Sequence, residues 1–514
     1  MTRDFPVVVA AAAEPSSSNQ ETAMHRSLER LDANRVRIRK NSDLDIVLFA
    51  SEDVFLDPAS VDEIVSFATI ADTLQALNGQ GFFGDVPARL DRIVLTPDFH
   101  RGAGIPVGTV LDARGFVLPK AVGSDIGCGM RLLATDVTVD EFAGLGETLD
   151  QSLRHIFFEG GRNIPLSASQ RRGIFAAGLH GLIEDANAGE GIWRYWDKRT
   201  QEADLMRTHK LGRLATTSVF ALEDFIAGSG GAFTRDGQIG SIGGGNHFVE
   251  IQRVDDVFDG ATARAWGLQR GRIAIMAHSG SVGIGHLMGN HFSDLARDAY
   301  PTALRRPGHG FYPLPTAKDA GRDYLSAMGN AGNFAYANRL FLGLMVIRAL
   351  SEVLGREVET RLVYDAPHNL VWDEGDGQMI HRKGACPADG PSSDADFPFG
   401  HPVIIPGSMG AASYVLRGHG SVGSLCSACH GAGRLAPRQQ SRRGPTDEID
   451  RLRVVTKVDG RRLRSDVREE WERSLLEEAP SRYKDVTPVI ETVVGGGIAS
   501  KVISLWPLLT VKGL

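Results

Sequence analysis

The feature that most constrains this chain is where its glycines fall. Gly accounts for 60 of 514 residues, about 12%, against a usual ~7%. The excess gathers around His, Cys and Asp at the ends of short apolar runs. A glycine beside a functional side chain lets backbone approach a ligand closely or turn sharply. The pattern therefore predicts strands that end in tight loops at a shared site. Short apolar runs at Ile93–Leu95, Val107–Val110 and Phe116–Leu118 read as strands. So do Ile273–Met276 and Arg361–Tyr364, each of which runs into a His. Helical spacing marks 61–77, 141–230 and 324–354, and the chain closes with a helix, a glycine break at Gly495–Gly497 and a strand-like tail. Interspersed strands and helices without a regular βαβ rhythm or a fixed-period repeat predict an α+β fold.

Charge and cysteine content narrow the function classes. Lys and Arg number 56 and Asp and Glu 63, a net charge of −7, so the chain as a whole has no basic field for nucleic acid. A local one is offered between Arg434 and Arg464, where ten Arg/Lys stand against four Asp/Glu. The four cysteines (Cys128, Cys386, Cys426, Cys429) are too sparse for a disulfide framework and point to a reducing, cytoplasmic setting. No apolar run is long enough to span a membrane. Residues 1–23, rich in Ala and Ser, are expected to be a flexible tail, with residues 24–514 forming one domain.

Five clusters carry chemistry. Asp125-Ile-Gly-Cys128-Gly sets a carboxylate and a thiol three residues apart. Gly243-Gly-Gly-Asn246-His247 ends in an amide and an imidazole, and Glu250 lies three residues on. His278-Ser-Gly-Ser-Val-Gly and Pro367-His368-Asn369 each follow a strand. The fifth pairs the Gly/Ser loop Pro406-Gly-Ser408-Met-Gly…Ser413 with Cys429-His430-Gly-Ala-Gly-Arg434. Asp125, Cys128, His247, His278 and His368 together supply one carboxylate, one thiolate and three imidazoles. With the thiolate bridging, that set suits two borderline divalent metals. A metal pair can orient phosphates, the Gly/Ser loop can cradle them through backbone N–H groups, and His430 is placed to be a nucleophile on phosphorus. Cys426-Ser-Ala-Cys429-His430 also matches the c-type haem pattern. That chemistry needs an exported chain, and the N-terminus carries no convincing export signal. A structural zinc at Cys426 and Cys429 lacks good further ligands.

Taken together, these motifs resemble the RtcB-type RNA ligases. The resemblance runs from about Val94 to Leu514 and adds Pro97-Asp98-x-His100, Tyr483-Lys-Asp-Val and Lys512-Gly to the clusters above. It implies a GTP- and Mn²⁺-dependent enzyme that joins RNA 2′,3′-cyclic phosphate or 3′-phosphate ends to 5′-hydroxyl ends through a histidine–GMP intermediate, in tRNA splicing or RNA repair. By that resemblance one Mn²⁺ takes Cys128, His278 and His368, and the second takes Asp125, Cys128 and His247. His430 becomes the guanylylated nucleophile, and Asp98 serves the catalytic steps, as a base. Asn246, Glu250, Ser408, Ser413, Tyr483 and Lys512 bind the guanylate, Glu250 either at the guanine edge or by orienting His430. Lys383 and Arg438 fit substrate-phosphate positions. A monomeric chain and an archease-type activator are further implications. The sequence departs from the family at Val282, where an Arg expected to hold an RNA phosphate usually stands. The departure leaves an alternative: a member that guanylylates 3′-phosphate ends but ligates poorly.

Overall fold

The computed structural model describes residues 28–39, 44–183, 191–219, 238–392, 397–435, 447–459 and 465–513. The tail expected over 1–23 lies outside them. Helices and strands interleave along the chain in the α+β arrangement that the sequence predicts.

The first sheet has seven strands in the order β1-β2-β3-β4-β5-β13-β12. They are β1 (Leu28–Asp32), β2 (Arg35–Ile38), β3 (Asp45–Phe49), β4 (Arg89–His100), β5 (Val107–Arg114), β12 (Asn369–Gly375) and β13 (Gln378–Lys383). Only the β3–β4 pair is parallel. The second sheet has the order β11-β7-β9-β8-β19-β16-β15. Its strands are β7 (Gly129–Thr138), β8 (Phe248–Val257), β9 (Arg272–Ser279), β11 (Thr360–Pro367), β15 (Pro402–Ile405), β16 (Ser413–Gly418) and β19 (Ala499–Val511), with β18 (Val454–Val455) parallel to β19. Two short pairs complete the set: β6 (Phe116–Val117) with β10 (Leu314–Pro315), and β14 (Ala385–Pro387) with β17 (Ser427–Cys429).

The β1–β2 hairpin lies outside the apolar text that begins at Ile46. In β2 only Val36 and Ile38 are buried, alternating with exposed Arg35 and Arg37. Such a strand has too little apolar sequence to announce itself. The helical pattern over 61–77 resolves into two helices, α1 (Pro58–Phe67) and α2 (Ile70–Gly79). Pro58 opens α1 at its first turn, and Asp57 caps it by accepting the Ala59 N–H at 3.2 Å.

The core is threaded by α3 (Asp319–Leu354), 36 residues that end at Gly355 in the left-handed conformation (φ +66°). It is buried on nearly every face from Ser326 to Ile347, as a helix enclosed by protein must be. Its buried polar side chains are satisfied by loop backbone. Asn333 Oδ1 accepts the Leu214 N–H at 2.7 Å, and Asn338 Oδ1 accepts the Gly240 N–H at 2.7 Å.

Candidate active site

Antiparallel order in the second sheet brings four sequence clusters to one edge. Gly129, which opens β7, pairs with Ser279 at the end of β9 and with Pro367 at the end of β11. Phe248, which opens β8, pairs with His278. Cys128, His247, His278 and His368 are therefore neighbours because their strands are. The approach is close enough to require glycine at 129, where a Cβ would stand 2.5 Å from the Ala366 carbonyl oxygen.

The donor atoms converge. Cys128 Sγ lies 3.2 Å from His247 Nε2 and 3.3 Å from His278 Nε2. His278 Nε2 lies 3.3 Å from His368 Nε2, and His247 Nε2 lies 2.9 Å from Asp125 Oδ2. Two sets form, Cys128–His278–His368 and Asp125–Cys128–His247, with all donor atoms of each set within 4.8 Å of one another and Cys128 shared. The Asn246 carbonyl can only accept, so at 3.1 Å it fixes the proton of His278 on Nδ1 and leaves the Nε2 lone pair to the cluster. Burial, reinforced by neighbouring imidazoles, holds His278 and His368 well below the usual histidine range, hence neutral and ligand-competent. Burial and then the Asp125 charge push the Cys128 thiol up, so a cation binding there must displace a proton. Asp125 Oδ2 is buried without a hydrogen bond. A carboxylate, a thiol and three imidazoles aimed at one another fit a pair of borderline divalent metals better than they fit each other.

Structure behind the cluster holds it in place. Arg339, fully buried on α3, donates to the Gly127 and Ser279 carbonyls at 2.6 and 3.0 Å. It also pairs with Asp365 at 2.8 Å, and Asp365 in turn lies 3.4 Å from buried Arg131. Asn338 donates to Ser279 Oγ and to the Gly280 carbonyl at 3.0 and 3.1 Å. The Val282 N–H donates to Asp125 Oδ1 at 3.0 Å from a backbone at φ +52°, a costly conformation for a β-branched residue. Position 282 thus serves Asp125 through its peptide and brings no side-chain charge.

His430 stands beside this cluster, at the end of β17. Its ring centroid is 4.6 Å from that of His368. Asp98, on β4 of the first sheet, accepts His430 Nδ1–H at 2.7 Å and Thr96 Oγ1–H at 2.6 Å. Burial alone would raise Asp98, but hydrogen bonds and charge from His430, with Thr96, outweigh it and hold the carboxyl below its usual range. An ionised Asp98 fixes the His430 proton on Nδ1. Nε2 keeps its lone pair and has no hydrogen-bond partner among the described residues.

A cleft of about 910 Å³ joins these groups. All five donor residues except Asp125 are buried; Asp125 is half-buried, and all five line the cleft with His430. Asn246, Ser408, Tyr483 and Lys512 line it too, as does Lys383. Lys383 Nζ donates to the Ile105 carbonyl at 2.7 Å, and burial brings the amine down to about 8. Glu250 and Ser413 stand behind the wall. Glu250 accepts from Thr510 Oγ1 at 2.8 Å and from Gln252 Nε2 at 2.7 Å, and Ser413 Oγ accepts the Gly407 N–H at 3.0 Å. Glu250 makes its hydrogen bonds to Gln252 and Thr510, and the His430 Nδ1–H goes to Asp98. Burial pushes the Glu250 carboxyl up to about 7. Arg438 lies outside the described residues, as does much of the Arg-rich stretch. Of its described members, Arg453 is spent on Asp150 at 2.7 Å.

Glu478 went unnoticed in the sequence. It is buried in the cleft wall and accepts from Arg434 at 3.1 Å and from the Tyr483 hydroxyl, with Lys512 Nζ at 4.0 Å. No glycine, histidine or cysteine flanks it, so its only signal was the adjacent Glu477. Asn369 is a second addition: its Oδ1 accepts the Gly384 N–H at 2.8 Å and its Nδ2 donates to the Asp125 carbonyl at 3.3 Å.

A family model described as "tRNA-splicing ligase RtcB" matches residues 84–513. The chain belongs to the RtcB family. Among its relatives, the tRNA-splicing ligase RtcB of Thermococcus kodakarensis is 34% identical over 442 residues, 82% of this chain and 87% of that protein. The RNA-splicing ligase RtcB of Mycobacterium tuberculosis is 34% identical over 440 residues, 81% and 96% of the two chains. The tRNA-splicing ligase RtcB of Nanoarchaeum equitans is 32% identical over 451 residues, 83% and 89% of the two chains. The RtcB match includes the whole second sheet and every donor residue of the cleft. It leaves out the β1–β2 hairpin, β3 and both α1 and α2.

Proposed function

We propose that this protein is a GTP-dependent RNA ligase that joins 3′-phosphate or 2′,3′-cyclic phosphate ends to 5′-hydroxyl ends through a guanylylated His430. The observation that carries the reading is the free Nε2 of His430, whose ring lies 4.6 Å from that of His368 in a cleft shared with both donor sets. Cys128, His278 and His368 would hold one Mn²⁺ and Asp125, Cys128 and His247 the other. When bound, the ions supply positive charge that orients phosphates and offsets charge developing on them.

His430 Nε2 attacks the α-phosphorus of GTP. The N–P bond forms, the α–β anhydride bond breaks, and pyrophosphate leaves. The ring gains positive charge, which ionised Asp98 stabilises across the Nδ1–H bond. At a 2′,3′-cyclic end, water first adds to phosphorus and the P–O2′ bond breaks to give a 3′-phosphate and a free 2′-hydroxyl; an oxygen of the RNA 3′-phosphate next attacks the guanylyl phosphorus, and the N–P bond breaks. His430 returns to neutral and the RNA end now carries an activating GMP. The 5′-hydroxyl oxygen then attacks the 3′-phosphorus, its proton passes to solvent, the new phosphodiester bond forms, and the pyrophosphate bond breaks to release GMP. Asn246, Ser408, Tyr483 and Lys512 bind the guanylate from the cleft wall, with Glu250 and Ser413 supporting that wall from behind. Asn246 directly precedes the donor His247, and Lys512 lines the same cleft. Lys383 and Arg438 are assigned to substrate phosphates.

No helix among the described residues is long and apolar enough to cross a membrane. A cytoplasmic, monomeric enzyme, aided by an archease-type activator, completes the reading. The test is joining of a 3′-phosphate RNA to a 5′-hydroxyl RNA with GTP and Mn²⁺. Joined product that requires GTP and is lost in His430→Ala supports the assignment, and joining without GTP contradicts it. GMP-capped RNA without joined product favours the alternative that Val282 motivates.

A further inference from the structure

Four cations line the cleft: Arg101, Lys383, Arg434 and Lys512. Three are engaged within the protein. Arg434 and Lys512 converge on buried Glu478 at 3.1 and 4.0 Å. Lys383 is buried and donates to the Ile105 carbonyl at 2.7 Å. Arg101 differs. It is exposed in the cleft, and among the described residues it makes no ion pair and no side-chain hydrogen bond.

The loop that carries Arg101 is pinned. Glu63 on α1 accepts the Gly102 and Gly104 N–H groups at 2.8 and 2.7 Å. The Lys383–Ile105 bond closes the same loop from β13. A Cβ at Gly102 would stand 2.1 Å from the Ile105 carbonyl oxygen, so the turn is tight as well as tied. A cation on a fixed base loses less freedom when it binds.

Its position identifies the ligand. Arg101 follows directly on β4, three residues after Asp98, which holds the nucleophile. The intervening His100 ring stacks 6.5 Å from that of His430. Arg101 and Lys383 belong to the first-sheet side of the cleft. Ser408 and Lys512 belong to the second-sheet side, at the ends of β15 and β19. Arg101 thus reaches the cleft from the first sheet, and these two guanylate residues reach it from the second. A guanidinium offers bidentate hydrogen bonds that match phosphate geometry. Val282, at the position where this family usually carries a phosphate-binding Arg, contributes only a peptide N–H to Asp125.

We propose that Arg101, on the loop that follows β4, binds a phosphate group of the RNA strand that presents its 3′ end to His430. The inference rests on the ligase reading. The test uses the full chain and 3′-phosphate RNA, with KM measured for GMP transfer to the RNA at several salt concentrations. Arg101→Ala should raise that KM by roughly tenfold to a hundredfold, beyond any change in protein labelling by GTP, as expected for one lost charged hydrogen bond. It should also flatten the dependence of log KM on log salt by about 0.7, the share of one phosphate contact on a single strand. Arg101→Lys should restore the salt slope and part of the affinity. Glu63→Gln, which only loosens the loop, should raise KM while keeping the slope. An Arg101→Ala enzyme whose KM and salt slope match the wild type, in a preparation that labels with GTP and transfers to RNA, overturns the assignment. Absence of labelling in the wild type overturns the ligase reading instead, and this inference with it.

Discussion

Replacing Asp98 with Asn isolates what a carboxylate contributes to His430. The two side chains have nearly the same shape, and Asn can still accept from His430 Nδ1–H while its amide N–H₂ turns to Thr96. The bond survives and its charge does not. When Nε2 attacks phosphorus, the imidazole gains positive charge 2.7 Å from the Asp98 oxygen. At an effective dielectric of about 20, a full charge at that separation is worth roughly 6 kcal/mol. The charge is spread over the ring and only partly developed in the transition state, so about half, ~3 kcal/mol, is a fair share. That corresponds to a guanylylation rate reduced by roughly a hundredfold or more. The assay is single-turnover formation of protein-linked GMP from α-labelled GTP, with saturating GTP so that binding does not intrude. A variant within threefold of wild type would refute the argument, because the buried carboxylate would then be structural only.

Three further outcomes follow from the same geometry. Cys128→Ser should lose both metal ions, because Sγ belongs to both donor sets, whereas Asp125→Asn should lose one; elemental analysis after gel filtration distinguishes them, and two ions retained in Cys128→Ser would contradict a bridging thiolate. Arg339→Met should destabilise the fold by about 3–5 kcal/mol, because it leaves buried Asp365 with Arg131 at 3.4 Å as its one remaining ion pair among the described residues; urea unfolding reads this directly. The third concerns pH. Glu250 ionises near 4.5 when unfolded and about 7 when folded, so the native state binds the extra proton between those values. Stability from this group is full below about pH 4.5 and falls as pH rises towards 7, by ~3 kcal/mol at most. Glu250→Gln should flatten that part of the stability–pH curve, and an unchanged curve would show that Glu250 is not its source.

The metal cluster was legible because each donor is marked locally. His278 and His368 follow strands rich in apolar residues, while Cys128 and His247 sit in glycine loops that open strands. Antiparallel pairing then needed only to alternate for the four to meet. Asp98 was legible only by resemblance; no local rule links it to a histidine 332 residues later. Glu478 and Arg339 were not legible as site residues. Arg339 lies in a helix that the spacing marks, but its partners at Gly127, Ser279 and Asp365 are set by packing alone. In the Arg-rich stretch, Arg434 and Arg453 pair with Glu478 and Asp150, while Arg438 and most of the other cations lie outside the described residues. Arg101, an isolated cation in a glycine loop, carried no sequence signal of its own.

In the proposed reaction one imidazole, held by Asp98 and adjoining a shared-thiolate donor cluster, takes the nucleotide covalently. Peptide mapping by mass spectrometry, after incubation with GTP and Mn²⁺ and digestion at alkaline pH, tests it most directly. The account predicts a single GMP adduct, labile to acid, on the peptide that contains His430 and absent from His430→Ala. An adduct on a lysine, or one that persists in that variant, would contradict it.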